Sequence, residues 1–102
     1  MPRPSTGRFE RRIPRTVTIE VWPQDKPADK KRALTENVSL HGARILMWMD
    51  QEWRPGERLV LIAPEEGLRS QAQIVYCERL AGSKFAVGLE LSVPLERWAK
   101  PW

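Results

Sequence analysis

Two short segments of this 102-residue chain carry side chains suited to binding an anion with several phosphates. The first is Arg11-Arg12-Ile13-Pro14-Arg15, near the N-terminus. Arginine presents a planar, permanently charged fork that binds phosphate, or the O6 and N7 edge of guanine, and its plane also stacks on bases. Residues 1–15 hold five arginines and no lysine. By composition alone the segment favours a solubilising tail, with specific anion recognition as the alternative.

The second segment is Asn37-Val38-Ser39-Leu40-His41-Gly42. On an extended strand Asn37 and Ser39 face the same side, so Val38 and Leu40 are predicted to point into the core. Gly42 permits either a positive φ or a close approach of the backbone to another group. Taken alone, the segment favours an ordinary polar turn, with a polar binding surface at a strand end as the alternative.

The excess of positive over negative charge is confined to one end of the chain. Residues 1–15 contain five arginines and one glutamate, which accounts for the whole net charge of +4, and the remaining residues hold twelve basic and twelve acidic side chains. Proteins that bind nucleic-acid backbones usually spread their basic residues over a face or stripe. A compact ligand with a few phosphates is therefore favoured over nucleic acid. A small barrel that binds single-stranded nucleic acid on exposed tryptophans stays an alternative.

The sequence offers little for catalysis. His41 is the only histidine, so neither a histidine-based metal cluster nor a Ser-His-Asp triad can be built. The neighbouring carboxylates Glu65 and Glu66 precede Gly67 in a predicted solvated turn. The sequence contains no Walker-type glycine loop. We expect a protein that is not an enzyme and that needs no metal or cofactor.

Three features predict a cytoplasmic protein. No apolar run approaches the ~18 residues that indicate a membrane span. The basic N-terminus is not followed by the apolar stretch of a secretory signal. Cys77 is the single cysteine and cannot form an internal disulfide.

The hydrophobic pattern predicts an antiparallel all-β domain. Period-two alternation is plainest over 16–22, where Val17, Ile19 and Val21 form the apolar face, and over 84–91. Further strands are predicted over 32–38, 43–48, 58–62 and 70–80, and closing them into a barrel would remove the exposed edges. Residues 1–15, with three prolines and a glycine, are predicted to form a flexible, irregular arm on a domain of residues 16–102. Residues 94–98 are predicted to form one helical turn.

The two segments together resemble the signature motifs of PilZ domains, R-x-x-x-R in an N-terminal arm and D/N-x-S-x-x-G at a strand end. Arg11 and Arg15 match the first motif, with Arg12 as the frequent doubled arginine. The second motif is matched by Asn37, Ser39 and Gly42. The resemblance extends through most of residues 8–98.

This resemblance implies a six-stranded antiparallel PilZ-type barrel that binds cyclic di-GMP, often as an intercalated dimer of the ligand. It implies that Arg11, Arg12 and Arg15 contact guanine edges and phosphates. Asn37 and Ser39 would then bind a guanine edge or a phosphate, and Gly42 would keep the turn open. Arg8 is expected to add a further contact.

The hypothesis from sequence is a cyclic di-GMP receptor or adaptor. Its arm is expected to fold over the ligand and to signal to a protein partner that the sequence does not identify, or through a homodimer. The alternative is a degenerate PilZ-like domain that binds only protein.

Overall fold

A computed structural model describes residues 11–48 and 53–94 of the chain. The described residues form seven strands and one short 3-10 helix, Pro64–Glu66. The strands are β1 (Ile13–Pro14), β2 (Thr18–Pro23), β3 (Lys31–Ser39), β4 (Gly42–Trp48), β5 (Arg58–Ala63), β6 (Leu68–Ala81) and β7 (Lys84–Leu91). The predicted helical turn falls mostly on residues 95–98, which lie outside the described ranges. The first ten residues of the predicted arm also lie outside them.

Six of the strands close into an antiparallel barrel. They follow one another in the order β3, β2, β5, β6, β7 and β4, and a further pairing of β4 with β3 closes the ring. This confirms the predicted six-stranded antiparallel barrel. The predicted strands agree with the observed ones within two residues at each end, because period-two alternation locates a strand that has one face on the core.

The barrel interior contains the apolar faces that the alternation predicts. Val17, Ile19 and Val21 are all buried. On β7 the side chains of Phe85, Val87, Leu89 and Leu91 point inward, as predicted, and join the same core. Trp53 is also buried there, whereas Trp48 is 59% exposed.

The short strand β1 lies within the segment that was expected to be irregular. Ile13 pairs with Val38 and Pro14 pairs with Asn37, so β1 occupies the edge of β3 beyond its pairing with β2. Two residues that include a proline give no periodicity, which is why the sequence did not indicate this strand. Its consequence is that residues 13 and 14 lie beside the second motif.

Thr35 fixes the junction between β1 and β2. It is 1% exposed, and its hydroxyl accepts a hydrogen bond from Val17 N at 2.7 Å and donates one to Arg15 O at 2.6 Å. Its backbone N–H also donates to Val17 O at 3.0 Å. Thr35 thereby supplies the backbone partners that regular strand pairing does not supply at this crossing.

One prediction about the second motif was wrong. Val38 is fully buried, as expected, but Leu40 does not point into the core. Leu40 and His41 form the two-residue turn between Ser39 and Gly42, and Leu40 is only half-buried. Strand alternation ended one residue earlier than the sequence suggested, because the tight turn begins immediately after Ser39.

Among the described residues, no helix has the length and apolar character needed to cross a membrane.

Candidate functional site

The two sequence motifs meet on the outer wall of the barrel at the pairing of β1 with β3. Arg12 immediately precedes β1, and continuing the β1 register by one residue places it opposite Ser39. Its guanidinium Nη1 donates a hydrogen bond to Asn37 Oδ1 at 3.0 Å. The arm and the strand end, 25 residues apart in sequence, are thus joined by a direct contact.

Ser39 and Gly42 lie directly beside the contact between Arg12 and Asn37. Ser39 is 0% exposed although strand alternation turns it away from Val38 and the core. A Cβ on Gly42 would lie 3.1 Å from Leu89 O, 3.3 Å from Ser39 Oγ and 3.8 Å from Arg12 Nη2. The positive-φ glycines of the described chain do not include Gly42. Of the two roles considered for this glycine, the structure therefore favours close approach.

Arg15 points to a different partner. Its Nη2 lies 2.6 Å from Glu66 Oε2, in the 3-10 helix between β5 and β6, and both side chains are mostly buried. Its backbone N–H donates to Glu36 O at 3.4 Å. The second arginine of the R-x-x-x-R motif is thus held by a carboxylate. Arg11 is exposed, and Arg8 lies outside the described residues.

An arginine of the barrel, Arg44, lies beside the motif that contains Asn37. Arg44 on β4 is the direct cross-strand partner of Asn37. Its Nε donates to Glu36 Oε1 at 2.5 Å, and its Nη1 donates to Tyr76 Oη at 3.0 Å and lies 3.2 Å from Glu78 Oε1. The hydrogen bonds to Tyr76 and Glu36 raise the pKa of the Arg44 guanidinium further above its usual value. Arg44 is therefore a fixed and charge-compensated cation.

Sequence reasoning missed Arg44, although a signal for it exists. The turn Leu40-His41 centres the hairpin of β3 and β4, and counting outward from Ser39 and Gly42 brings Asn37 opposite Arg44. Residues Thr35 and Glu36 were missed for another reason. A shift of register between Thr35 and Asn37 inserts Glu36 as an extra residue, which alternation alone does not indicate.

A separate open cleft, of about 830 Å³, lies between the loop after β2 and the segment before β5. None of the residues singled out by sequence lines it. Its charged lining is balanced, with three acidic and three basic side chains: Asp25, Asp29, Glu57, Lys26, Arg54 and Arg58.

No protein-family model and no curated protein matches the sequence. Solved structures do match the fold. The chain is similar to the Bacillus subtilis inhibitor of motility MotI/DgrA, with a TM-score of 0.66 and 22% identity over 86% of this chain. It spans only 44% of that protein. It is also similar to the PilZ domain of CeSA from a cellulose-synthesizing bacterium, with a TM-score of 0.63 and 20% identity over 86% of both chains. Identities this low establish the fold and not the ligand.

Proposed function

The chain has a PilZ-like fold, and on this basis we propose that it is a non-enzymatic receptor that binds cyclic di-GMP at the junction of its arm and barrel. The fold is that of a regulatory binding module. The site would be formed by Arg11, Arg12, Arg15, Asn37, Ser39 and Gly42, with Arg8 as an additional contact. We further propose that the receptor acts in the cytoplasm and signals to a protein partner.

One observation carries this proposal, namely the contact of Arg12 with Asn37. Each motif alone is weak evidence for a binding site. Their contact strengthens that evidence, because one ligand could then touch side chains from both motifs. Arg12 donates to the neutral amide oxygen of Asn37, so this contact leaves its positive charge uncompensated and suited to an anion. The Asn37 oxygen has a second lone pair, which remains suited to a guanine N–H donor.

The proposed mechanism starts from the carboxylate that holds Arg15. A phosphate of the ligand would compete with Glu66 for the Arg15 guanidinium, while Arg11 and Arg12 bind the remaining anionic or guanine groups. The arm is then fixed against the barrel by the ligand. This converts the concentration of the messenger into a surface that a partner can recognise.

Calorimetric titration of the full chain with cyclic di-GMP, GMP and a short single-stranded oligonucleotide tests the proposal. We expect saturable binding of cyclic di-GMP, weaker binding of GMP, and no length-dependent binding of the oligonucleotide with a steep salt dependence. At a ligand concentration ~100 times Kd, the free energy of unfolding should rise by about 2.7 kcal/mol. The arm should also become more resistant to proteolysis.

The same experiment separates the alternatives. Binding of none of the three ligands would contradict the proposal and favour a PilZ-like module that binds only protein. Steeply salt-dependent binding of the oligonucleotide alone would instead indicate a single-stranded nucleic-acid binder.

A further inference from the structure

The wall of the barrel opposite the arm junction carries a second group of charged and aromatic side chains. In the six-strand ring β5 lies three places from β4, so its outer face is opposite that of the strand that begins at Gly42. These side chains project outward, because Val21 and Leu61 of the alternate row are fully buried in the core. Two rows of cross-strand partners cross this wall, one of Trp22, Val60 and Gln71 and one of Arg32, Glu20, Ile62 and Arg69.

Two cations lie over the ring of Trp22. Lys30 Nζ is 5.2 Å from the ring centroid, and Arg69 Cζ is 5.9 Å from it. Val60, the direct partner of Trp22, is 6% exposed although it lies outside the barrel core, so neighbouring side chains cover it. Trp22 itself is half-buried. The wall therefore has an apolar centre with positive side chains fixed against it.

The two arginines of this wall carry uncompensated charge. Lys30 lies 3.7 Å from Glu20 and balances it. Arg32 and Arg69 are both exposed, and neither forms an ion pair with a residue that the structure describes. The two rows together with Lys30 therefore have a net charge of +2, although residues 16–102 as a whole hold equal numbers of basic and acidic side chains.

This combination of groups favours a protein partner. Tryptophan and arginine around an apolar centre are the residues that most often carry the binding energy of protein interfaces. Glu20 lies between Arg32 and Ile62 in its row and would repel the phosphates of a nucleic acid or of a lipid surface. The cations over Trp22 also occupy the ring face on which a base would stack. Charge complementarity with the two arginines requires carboxylates on the partner.

The spacing of the two arginines defines what such a partner must present. Arg32 on β3 and Arg69 on β6 are three strand spacings apart, roughly 14 Å at ~4.8 Å per spacing. An extended segment rises ~3.4 Å per residue, so side chains at positions i and i+4 span this distance and face the same side. The side chain at i+2 then lies between them, beside Ile62 and Trp22.

We propose that Trp22, Arg32, Ile62 and Arg69, together called the Trp22 face, dock an extended protein segment with carboxylates at i and i+4 and an apolar side chain at i+2. The carboxylates pair with the two arginines, and the apolar side chain packs on Trp22 and Ile62. That the receptor passes on its signal at this face rests on the proposed function, whereas the binding of an acidic segment does not. Because the face and the arm junction lie on opposite walls, ligand and partner can be bound together.

Backbone amide chemical shifts of the full chain test the proposal with a synthetic peptide of four Glu-Ser-Leu-Ser repeats. We expect saturable shifts at residues 20, 22, 32, 62 and 69, and no shifts at residues 37–42. The same peptide with Gln in place of Glu should cause no shifts at these positions. Shifts confined to other regions, or no shifts with the acidic peptide, would overturn the proposal.

A single substitution measures the share of one arginine. Arg69→Gln should weaken binding of the acidic peptide about two- to fivefold, as expected for a lost exposed ion pair. The matched control is Lys84→Gln, because Lys84 also lies over a tryptophan ring, 5.6 Å from the centroid of Trp48, but on β7. This control should leave the affinity unchanged. Equal losses in both variants would indicate nonspecific charge and contradict the docking role.

Reversal of the charge is the more demanding test. The double variant Arg32→Glu and Arg69→Glu changes the net charge of the wall from +2 to −2. Both positions are exposed, so the barrel should still fold. The variant should lose the acidic peptide and bind a peptide of four Lys-Ser-Leu-Ser repeats instead. Continued binding of the acidic peptide would overturn the proposal.

The outcomes separate this inference from the proposed function. A chain that binds the acidic peptide but not cyclic di-GMP would contradict the receptor function and support the docking surface. A chain that binds cyclic di-GMP but not the acidic peptide would overturn the docking surface alone. Shifts at the Trp22 face caused by a single-stranded oligonucleotide or by phosphatidylglycerol vesicles, but not by the acidic peptide, would also overturn it and assign the face to nucleic acid or lipid.

Discussion

The barrel has two regions that differ in how they could receive a ligand, the junction of the arginine arm with β3 and the open cleft near Trp53. The cleft has a volume of about 830 Å³, but its acidic and basic side chains balance one another. The arm contacts β3 through a specific hydrogen bond between Arg12 and Asn37, which are 25 residues apart. The cleft offers space without a preference for charge, whereas the junction of the arm with β3 holds the Arg12 guanidinium 3.0 Å from the amide oxygen of Asn37.

The proposed function therefore depends on charge and hydrogen bonding at the arm, and not on the volume of the cleft. A doubly charged dinucleotide gains from fixed arginines near an acceptor amide and gains little from a cleft whose net charge is zero. Preorganised groups also lower the ordering cost of binding. The variants that follow test whether the junction of the arm with β3, and not the cleft, binds cyclic di-GMP.

The largest effect is expected from Arg12→Ala. It removes the guanidinium that contacts Asn37, so binding of cyclic di-GMP should weaken by about 1–3 kcal/mol, roughly 5- to 150-fold. The matched control in the cleft is Arg54→Ala, and Lys30→Ala serves as a second exposed control. Both should stay within about twofold of the wild type in the same titration. Equal losses in all three variants would indicate binding through nonspecific charge.

Thr35→Val tests whether the arm junction must be held for binding. The substitution keeps the volume but leaves the buried Val17 N–H without its side-chain acceptor, which should lower the free energy of unfolding by about 1–3 kcal/mol. Denaturant unfolding measures this loss. Affinity should fall as well, because Arg15 O loses the hydroxyl that fixes it. Unchanged stability would show that the junction does not depend on Thr35.

Gly42→Ala sharpens the comparison within the motif. The added Cβ would press on Leu89 O and Ser39 Oγ and approach Arg12 Nη2. Since the neighbours must shift by a few tenths of an ångström, we expect about fivefold weaker binding, the equivalent of one hydrogen bond. The control is Gly56→Ala, where no atom lies within 4 Å but φ is +94°. That variant should lose stability while its affinity is retained, and the reverse pattern would contradict the close-approach role of Gly42.

The smallest effect should come from Glu66→Gln, and its sign is informative. Loss of the carboxylate releases Arg15 from its ion pair, so affinity for cyclic di-GMP should increase by about two- to fivefold. Calorimetry measures the change. In an Arg15→Ala background the same substitution should have no effect. A decrease in affinity in the single variant would show that Glu66 positions Arg15 rather than competing for it.

The sequence predicted the barrel well and the contacts of the site only in part. Strands such as β2 and β7 have one face on the core, so alternation was sufficient to find them. The meeting of Arg12 with Asn37 depends on β1, which has two residues and no periodicity. The motif pattern itself emphasised Arg11 and Arg15, but the arginine that contacts Asn37 is Arg12.

Other features arise from strand register, which periodicity does not specify. The extra residue Glu36 and a second irregularity between Ile74 and Tyr76 decide which side chains face the outside of the barrel. The position of the Tyr76 ring over Gly88 follows from the register of β6 against β7. Leu40 was misassigned because a two-residue turn ends the alternation at Ser39.

Backbone amide chemical shifts recorded during titration with cyclic di-GMP test the central claim most directly, because one experiment observes both regions. We expect the largest shifts at residues 11–13, 15, 37–42 and 44, with small shifts at residues 24–26, 28–29, 54 and 56–58 of the cleft. Shifts concentrated in the cleft, or none at saturating ligand, would contradict the claim that the arm and the end of β3 form the receptor site.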